Sequence, residues 1–319
     1  MYTWSNRPLV TIIVLNWNQP ELTLDCLSSL QELEYSPISI IVVDNGSDDN
    51  SVVTIRERFP DVTLIETRRN LGYAGGNNIG INYALSGAAE FVCLLNNDVK
   101  VTPDFLTPLV DLCSSIPNIG VAVPLVIEMG DLQRVWSLGA RVNHKTGTVT
   151  RLNAGNNVAS VRNQAPFPVD SASGEAMLIR HEVFLRVGLL DEDFYLYYED
   201  TDWSLRVRRA GFEIYAVPGS LVMHQGSASL GATSPVIDYY MLRNHLRLIT
   251  RHWQQPHRFY LQLRIALRNL LTVAAYTVKP HGGRRIPNRD ARLLALRDAL
   301  LGRWGKMAPD VEKVCYPDR

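Results

Sequence analysis

Short, almost uninterrupted apolar runs alternate with longer mixed segments through the first third of the chain. Residues 9–15, 38–43 and 62–65 each read as a strand buried on both faces, because they lack the polar alternation of a one-sided strand. Residues 21–33 and 50–59 carry apolar positions at helical spacing, and 74–86 follow a glycine-rich turn as a third helix. A fourth apolar run, 91–95, stops at Asn96-Asn97-Asp98. Strands alternating with helices predict an α/β fold whose mixed, mostly parallel sheet has helices on both faces. Such sheets bind ligands at the carboxyl ends of their strands. The polar clusters fall there: Asn16-Trp17-Asn18 after the first strand, residues 44–49 (DNGSDD) after the second, and Asn96-Asn97-Asp98 after the fourth. One shared ligand site is the economical reading.

Residues 134–168 are richer in Gly, Asn, Thr and Val and read as inserted strands and loops. Residues 239–253 and 259–278 read as helices. Arg243, Arg247 and Arg251 lie four apart, in one stripe, with Leu242, Leu246 and Ile249 on a neighbouring face. Charge sharpens this division. The 319-residue chain is neutral overall, but residues 1–242 hold 27 acidic against 16 basic side chains, whereas 243–306 hold 14 basic ones against Asp290 and Asp298. A catalytic domain over 1–238 and a basic helical region over 239–319 are therefore expected. The basic helices fit a peripheral contact with anionic lipid headgroups near an acceptor; the alternative is a solvated arginine face packing on the rest of the protein.

Cys26, Cys93, Cys113 and Cys315 have no zinc-type spacing and form no disulfide framework, which fits a reducing cytosol. The N-terminus has no apolar core before Leu9, and no run approaches the roughly 20 apolar residues of a spanning helix. The expected location is cytoplasmic, with peripheral association on the inner face of the membrane where the basic helices make such a contact.

Several clusters carry candidate chemistry. Asp44 can accept from a pyrimidine imide or a ribose hydroxyl, although a helix N-cap explains an isolated DNGS turn equally well, and Asp48 or Asn50 fit that role too. Residues 70–78 (NLGYAGGNN) resemble a phosphate-binding loop at a helix N-terminus, or simply a glycine-rich helix entry; they do not match the GxGxxG pattern of dinucleotide sites. Asn96-Asn97-Asp98 leaves its strand toward solvent with hard oxygen ligands suited to Mg2+ or Mn2+, and His224 is a second candidate ligand. Residues 195–203 (YLYYEDTDW) place Glu199, Asp200 and Asp202 where an aromatic run enters a helix. Capping needs only one of the three carboxylates. A partly desolvated carboxylate there has the properties of a general base.

Taken in order, residues 14–18 (VLNWN), 42–47 (VVDNGS), 70–78, 94–99 (LLNNDV), 173–180 (SGEAMLIR) and 198–202 (YEDTD) resemble the rhamnosyltransferase-like branch of the inverting family-2 glycosyltransferases, from about residue 9 to Arg243-Asn244. The resemblance implies a GT-A fold and transfer of a sugar from a nucleotide-sugar donor, dTDP- or UDP-linked, onto a hydroxyl of a glycan or lipid-diphosphate-linked acceptor in cell-surface polysaccharide synthesis. dTDP-rhamnose is the first expectation, with UDP-hexoses and UDP-galactofuranose behind it. It places Asn16, Asn18 and Asp44 at the nucleoside, Asn70, Gly72, Gly75 and Asn78 in a loop shaping the donor site, and Asn96 and Asn97 beside the metal residue Asp98. His224 matches a histidine that joins the metal, and Gly174 belongs to a segment facing donor sugar and acceptor. Asp200 matches the base, with Glu199 and Asp202 positioning the acceptor or supporting the base. Two departures stand out: the metal motif holds a single carboxylate, and Glu175 stands where relatives often have a small residue, as an acceptor contact or an exposed position.

Two other readings compete. A non-catalytic nucleotide or nucleic-acid binding protein using the arginine-rich region would show salt-sensitive affinity, but it leaves Glu199, Asp200 and Asp202 together with Asp98 and His224 without a task, and no nucleic acid is expected. A nucleotidyltransferase is disfavoured because the glycine-rich segment lacks a basic signature near the N-terminus.

Overall fold

The computed structural model describes residues 7–226, 234–278 and 285–316. Its first third follows the predicted alternation: β1 (Val10–Asn16), α1 (Pro20–Gln31), β2 (Ile38–Asp44), α2 (Ser51–Arg58), β3 (Thr63–Glu66), α3 (Gly72–Leu85) and β4 (Phe91–Asn96). Helix α1 starts at a proline, whose fixed φ suits a first turn with no N–H partner. There follow β5 (Val99–Val101), α4 (Leu106–Ser115), β6 (Ile119–Glu128), β7 (Asp131–Ser137), the hairpin β8 (Ala140–Asn143) and β9 (Thr148–Arg151), β10 (Phe167–Val169), β11 (Ala176–Arg180), α5 (His181–Val187), α6 (Glu199–Arg209) and β12 (Glu213–His224).

The main sheet runs β10-β12-β6-β11-β4-β1-β2-β3, with β5 on β12 and β7 on β6. Along that path only β10 and β11 oppose the common direction. Both faces are covered, which explains the unbroken apolar runs. Leu24, Leu27 and Leu30 of α1 and Leu106 and Leu109 of α4 pack with Val10, Ile12 and Val14. Ala74 and Ile81 of α3, Val183 of α5 and Trp203 of α6 pack with Ile13, Ile41 and Val43.

The glycines of the 70–78 segment and its continuation let α3 press on the sheet. A Cβ on Gly80 would sit 2.6 Å from Ile13 Cγ2, and one on Gly76 2.5 Å from Leu15 Cδ1. Gly75 is buried within α3. Gly76 and Gly80 thus serve helix–strand approach.

The chain forms two compact units. The first takes in residues 1–142, 149–190 and 200–226, the second 143–148, 191–199 and 227–319. The second unit contains α7 (Pro235–His252), α8 (His257–Val278), α9 (Arg285–Leu300) and α10 (Pro309–Cys315). Ser234 caps α7 by accepting from the Val236 N–H, with Pro235 at the first helical position.

Arg243 and Arg247 of the α7 stripe are turned inward, so these two do not form a lipid-facing or solvated surface, while Arg251 is exposed. Arg243 is buried and donates to Asn244 Oδ1 and Tyr239 Oη while lying over the Tyr240 ring. Arg247 is paired with Asp191 and Asp193, and Arg251 with Asp191. The buried guanidinium groups of Arg243 and Arg247 need such partners. Among the described residues no helix is long and apolar enough to cross a membrane. All four cysteines are buried free thiols, and burial pushes Cys93 up to about 12.

Candidate active site

Strand register brings the first three clusters together, since Asn16 lies opposite Asp44 and Leu15 opposite Asn96. Asn16 Nδ2 donates to Asp44 Oδ2 at 2.8 Å, and its Oδ1 accepts from Thr23 Oγ1 at 2.7 Å. Asn97 Nδ2 donates to the same Thr23 hydroxyl at 3.1 Å. Asp44 closes its own turn by accepting from the Ser47 N–H and hydroxyl. It therefore caps the DNGS turn, whereas Asp49 accepts from the N–H of Ser51 at the start of α2. Asn18, in the left-handed region at φ 52°, exchanges hydrogen bonds with Asp48. Asn70 Oδ1 accepts from the Gly72 N–H and from Asn45 Nδ2, and Gly72 has a positive φ of 75° that glycine adopts without strain.

Two of the expected donor-site residues have structural roles. Asn78 is buried, and its amide both donates to Leu190 O and accepts from Leu190 N, so it anchors the loop before Asp191. Gly75, as described above, lies inside α3.

Asp98 is buried rather than solvent-facing, because the turn after β4 leads straight into β5, and β5 pairs with β12 so that Val99 faces His224. His224 Nε2 lies 3.2 Å from Asp98 Oδ2. Burial lowers the imidazole's pKa, but the hydrogen bond and charge of Asp98, helped by Glu175, outweigh it and hold the group above its ordinary value. Asp98 Oδ1 and His224 Nδ1 are buried with no hydrogen-bond partner among the described residues. Such orphaned atoms have ligand capacity to spare. No group of three or more His, Cys, Asp or Glu among the described residues can enclose a metal. A divalent ion held by one carboxylate and one imidazole would complete its shell with waters and diphosphate oxygens, a common arrangement for Mg2+. The donor set fits Mg2+ or Mn2+ on those terms.

Asp200, one residue into α6, is half-buried. Its Oδ2 accepts from the Gly174 N–H at 3.1 Å and its Oδ1 from the Thr201 N–H at 2.6 Å. Burial and then the charge of Glu175 push its pKa up to about 6, against those hydrogen bonds. Asp202 is fully buried and paired with Arg206, which also donates to Val187 O and Leu189 O. This pair ties α6 to the preceding loop, which gives Asp202 a structural role beside the base. Glu199 opens α6 and is buried.

Three residues were not singled out as site residues by sequence reasoning, or were misjudged. Glu175 is buried, not exposed: its Oε1 accepts from Trp136 Nε1 at 2.8 Å and its Oε2 has no partner among the described residues. Trp136 meets the His224 ring edge-on at 5.1 Å, with Arg151 stacked over it. Tyr73 Oη donates to Gly174 O at 2.6 Å, joining the 70–78 loop to the peptide that holds Asp200. The SGE tripeptide was the available signal for Glu175; nothing in the sequence marks Trp136 for this role.

A mixed sheet carrying a polar network at the ends of β1, β2 and β4, an Asp–His pair across β5 and β12, and a carboxylate at the start of α6 defines the GT-A class of glycosyltransferases. Residues 11–184, more than half the chain, match the model of Glycosyl transferase family 2, and the protein belongs to that family. It is 28 % identical over 267 residues to the N-acetylglucosaminyl-diphospho-decaprenol L-rhamnosyltransferase of Mycobacterium tuberculosis, covering 77 % of this chain and 87 % of that protein. It is 26 % identical over 251 residues to the dTDP-rhamnosyl transferase RfbF of Shigella flexneri, covering 75 % and 79 %. Among solved structures it is similar to the mannosyltransferase PcManGT of Pyrobaculum calidifontis in complex with GDP-Man and Mn2+, with a TM-score of 0.59 at 17 % identity over 94 % of this chain and 89 % of that one. It also matches GalNAc-T7 with UDP, GalNAc and Mn2+, with a TM-score of 0.62 at 17 % identity over 98 % of this chain but 59 % of that one. At that identity the structural likenesses speak to the fold.

Proposed function

We propose that the protein moves L-rhamnose from dTDP-rhamnose onto a hydroxyl of a glycan or lipid-diphosphate-linked acceptor, with inversion at the anomeric carbon. The observation that carries the transfer chemistry is Asp200: a half-buried carboxylate, oriented through both oxygens, with its pKa raised to about 6. Such a group is ionised at neutral pH yet basic enough to take a proton from an attacking hydroxyl. Rhamnose is supported by the names of the two relatives.

In this reading the network of Asn16, Asn18 and Asp44 receives the nucleoside, and Asn70 and Gly72 shape the donor edge beside Asn96 and Asn97. Asp98 and His224 would hold a divalent cation, which would supply positive charge against the departing diphosphate. Gly174 N–H fixes Asp200 so that one oxygen faces the acceptor hydroxyl, and Asp200 takes its proton as the hydroxyl oxygen bonds to the anomeric carbon. Glu175 keeps negative charge beside Asp200 and so preserves its basicity.

A thermal-shift screen of nucleotide sugars with and without Mn2+ tests the donor. Ligands that bind only the folded state raise its Tm. The expected result is the largest rise with dTDP-rhamnose plus Mn2+, lost in Asp98→Ala. A larger rise with a UDP-hexose or UDP-galactofuranose would replace the donor, and no rise with any nucleotide sugar would sink the proposal.

A further inference from the structure

Two features of the second unit point to one kind of partner. The first is the outer face of α8. Leu263, Leu267, Leu270, Leu271 and Val278 succeed one another at steps that keep them within one stripe of the helix, and all are exposed, Leu267 to 53 % and Leu271 to 73 %. Single exposed leucines are ordinary, but a continuous stripe on one helix marks an interaction surface. Helix α8 contains no acidic residue; its charged side chains are Arg258, Arg264 and Arg268. Arg264 and Arg268 each follow a stripe leucine by one position, which at 100° per residue sets both along one border of the stripe.

The second feature lies past that border, on the side of α8 turned away from the stripe. A cavity of about 300 Å3 is lined by Arg264, Arg268, Asn269 and Thr272 of α8, His245 of α7 and Arg292 of α9. Arg292 is paired with Asp238 and donates to Asn269 Oδ1, and Arg264 donates to Thr146 O. Arg268 has no hydrogen bond or ion pair among the described residues through its side chain. His245 is held below its ordinary pKa by burial and has Nε2 at 2.7 Å from Gly147 O, so the positive charge at the cavity is that of the arginines. The Asn269 amide and the Thr272 hydroxyl already donate to Ile265 O and Arg268 O, and Asp238 neutralises Arg292, so Arg264 and Arg268 are the groups left for an anion. Guanidinium forks are a standard recognition element for phosphate.

We propose that α8 docks on an anionic phospholipid bilayer, with its leucine stripe in the acyl-chain boundary and Arg264 and Arg268, along the stripe's border, pairing with headgroup phosphates. The charge complementarity is built in: a 22-residue helix without an acidic side chain carries two arginines along the border of its apolar stripe. Helices of this kind lie in the interface plane and do not span it. The sequence pointed to the basic helices as a group; the surface lies on α8 rather than on the α7 stripe, and it stands or falls independently of the sugar chemistry.

The test is flotation of the full-length protein with phosphatidylcholine vesicles containing or lacking phosphatidylglycerol. Co-flotation is expected with the anionic vesicles alone. Leu267→Asp combined with Leu271→Asp should abolish it, and Arg268→Gln should weaken partitioning by about five-fold. These side chains are exposed, so circular dichroism and Tm should stay at wild-type values. Glycerol phosphate at millimolar concentration should compete with wild-type flotation more strongly than with that of Arg268→Gln, which separates a phosphate contact of Arg268 from general surface charge. Absence of flotation overturns the proposal, as does flotation unaffected by all three substitutions. A dimer in solution that the aspartate substitutions dissociate, without vesicle binding, also overturns it by giving the stripe to a second copy.

Discussion

Asp200→Asn preserves the shape of the side chain and one oxygen to accept from Gly174, but removes the charge and the titration. The folded protein raises this carboxyl from 3.8 to about 6, through burial first and Glu175 second. A carboxyl whose pKa rises on folding binds its proton more tightly in the folded state. Its contribution to stability is complete below pH 3.8 and is lost as pH climbs through about 6. With those two values, the linkage relation gives a loss of about 1.4 kcal/mol between pH 5 and pH 8 from this group alone. The Asn variant does not titrate there. Urea unfolding of metal-free wild type and variant at both pH values isolates the effect of Asp200 together with the Glu175 charge it faces, since groups outside that pair cancel in the difference. The stability of Asp200→Asn relative to wild type should rise by about 1 kcal/mol from pH 5 to pH 8. A difference that stays constant, or moves the other way, would refute the claim that folding raises this pKa.

Further outcomes follow from neighbouring contacts. Glu175→Gln keeps an oxygen for Trp136 Nε1 but removes the charge beside Asp200, so the acid limb of kcat/KM should move to lower pH; an unmoved limb would show that Glu175 does not tune the base. Asp202→Asn leaves Arg206 with its two carbonyl partners but no counter-charge, and should cost about 3 kcal/mol in denaturant unfolding while nucleotide-sugar affinity holds. Gly80→Ala should cost about 2 kcal/mol, because Ile13 Cγ2 belongs to a β-branched side chain that cannot swing away; Gly76→Ala should cost less, since Leu15 Cδ1 is the end of a flexible one. Equal Tm losses for the two would contradict that account of how α3 packs.

Much of the site was legible before any coordinates. Asn16, Asp44 and Asn96 each close an apolar run, and parallel pairing of buried runs places their ends together without further information. Asp98 and His224 are 126 positions apart and were paired only through the family resemblance; the antiparallel bond pattern between β5 and β12 supplies the physical reason. Arg243, Arg247 and Arg251 misled because periodicity reports which residues share a face, not what that face meets. Asp191 and Asp193, some fifty positions earlier, take up two of the three charges. Asn78 misled in the same way: beside glycines it reads as a loop ligand, whereas in space it satisfies the peptide of Leu190. Glu175 was visible as an oddity, but its burial depends on Trp136, from a strand that sequence pattern could not assign to the site.

The central claim is a carboxylate-assisted transfer from a nucleotide sugar, and nucleoside-diphosphate release tests it most directly. With dTDP-rhamnose, Mn2+ and a lipid-diphosphate-linked glycan acceptor, wild type should release dTDP in proportion to acceptor, with the product anomer inverted. Asp200→Asn should lower that release by about 100-fold or more while the Tm rise on donor binding persists. Pyrophosphate as the released product, a retained anomeric configuration, or wild-type turnover in Asp200→Asn would contradict it.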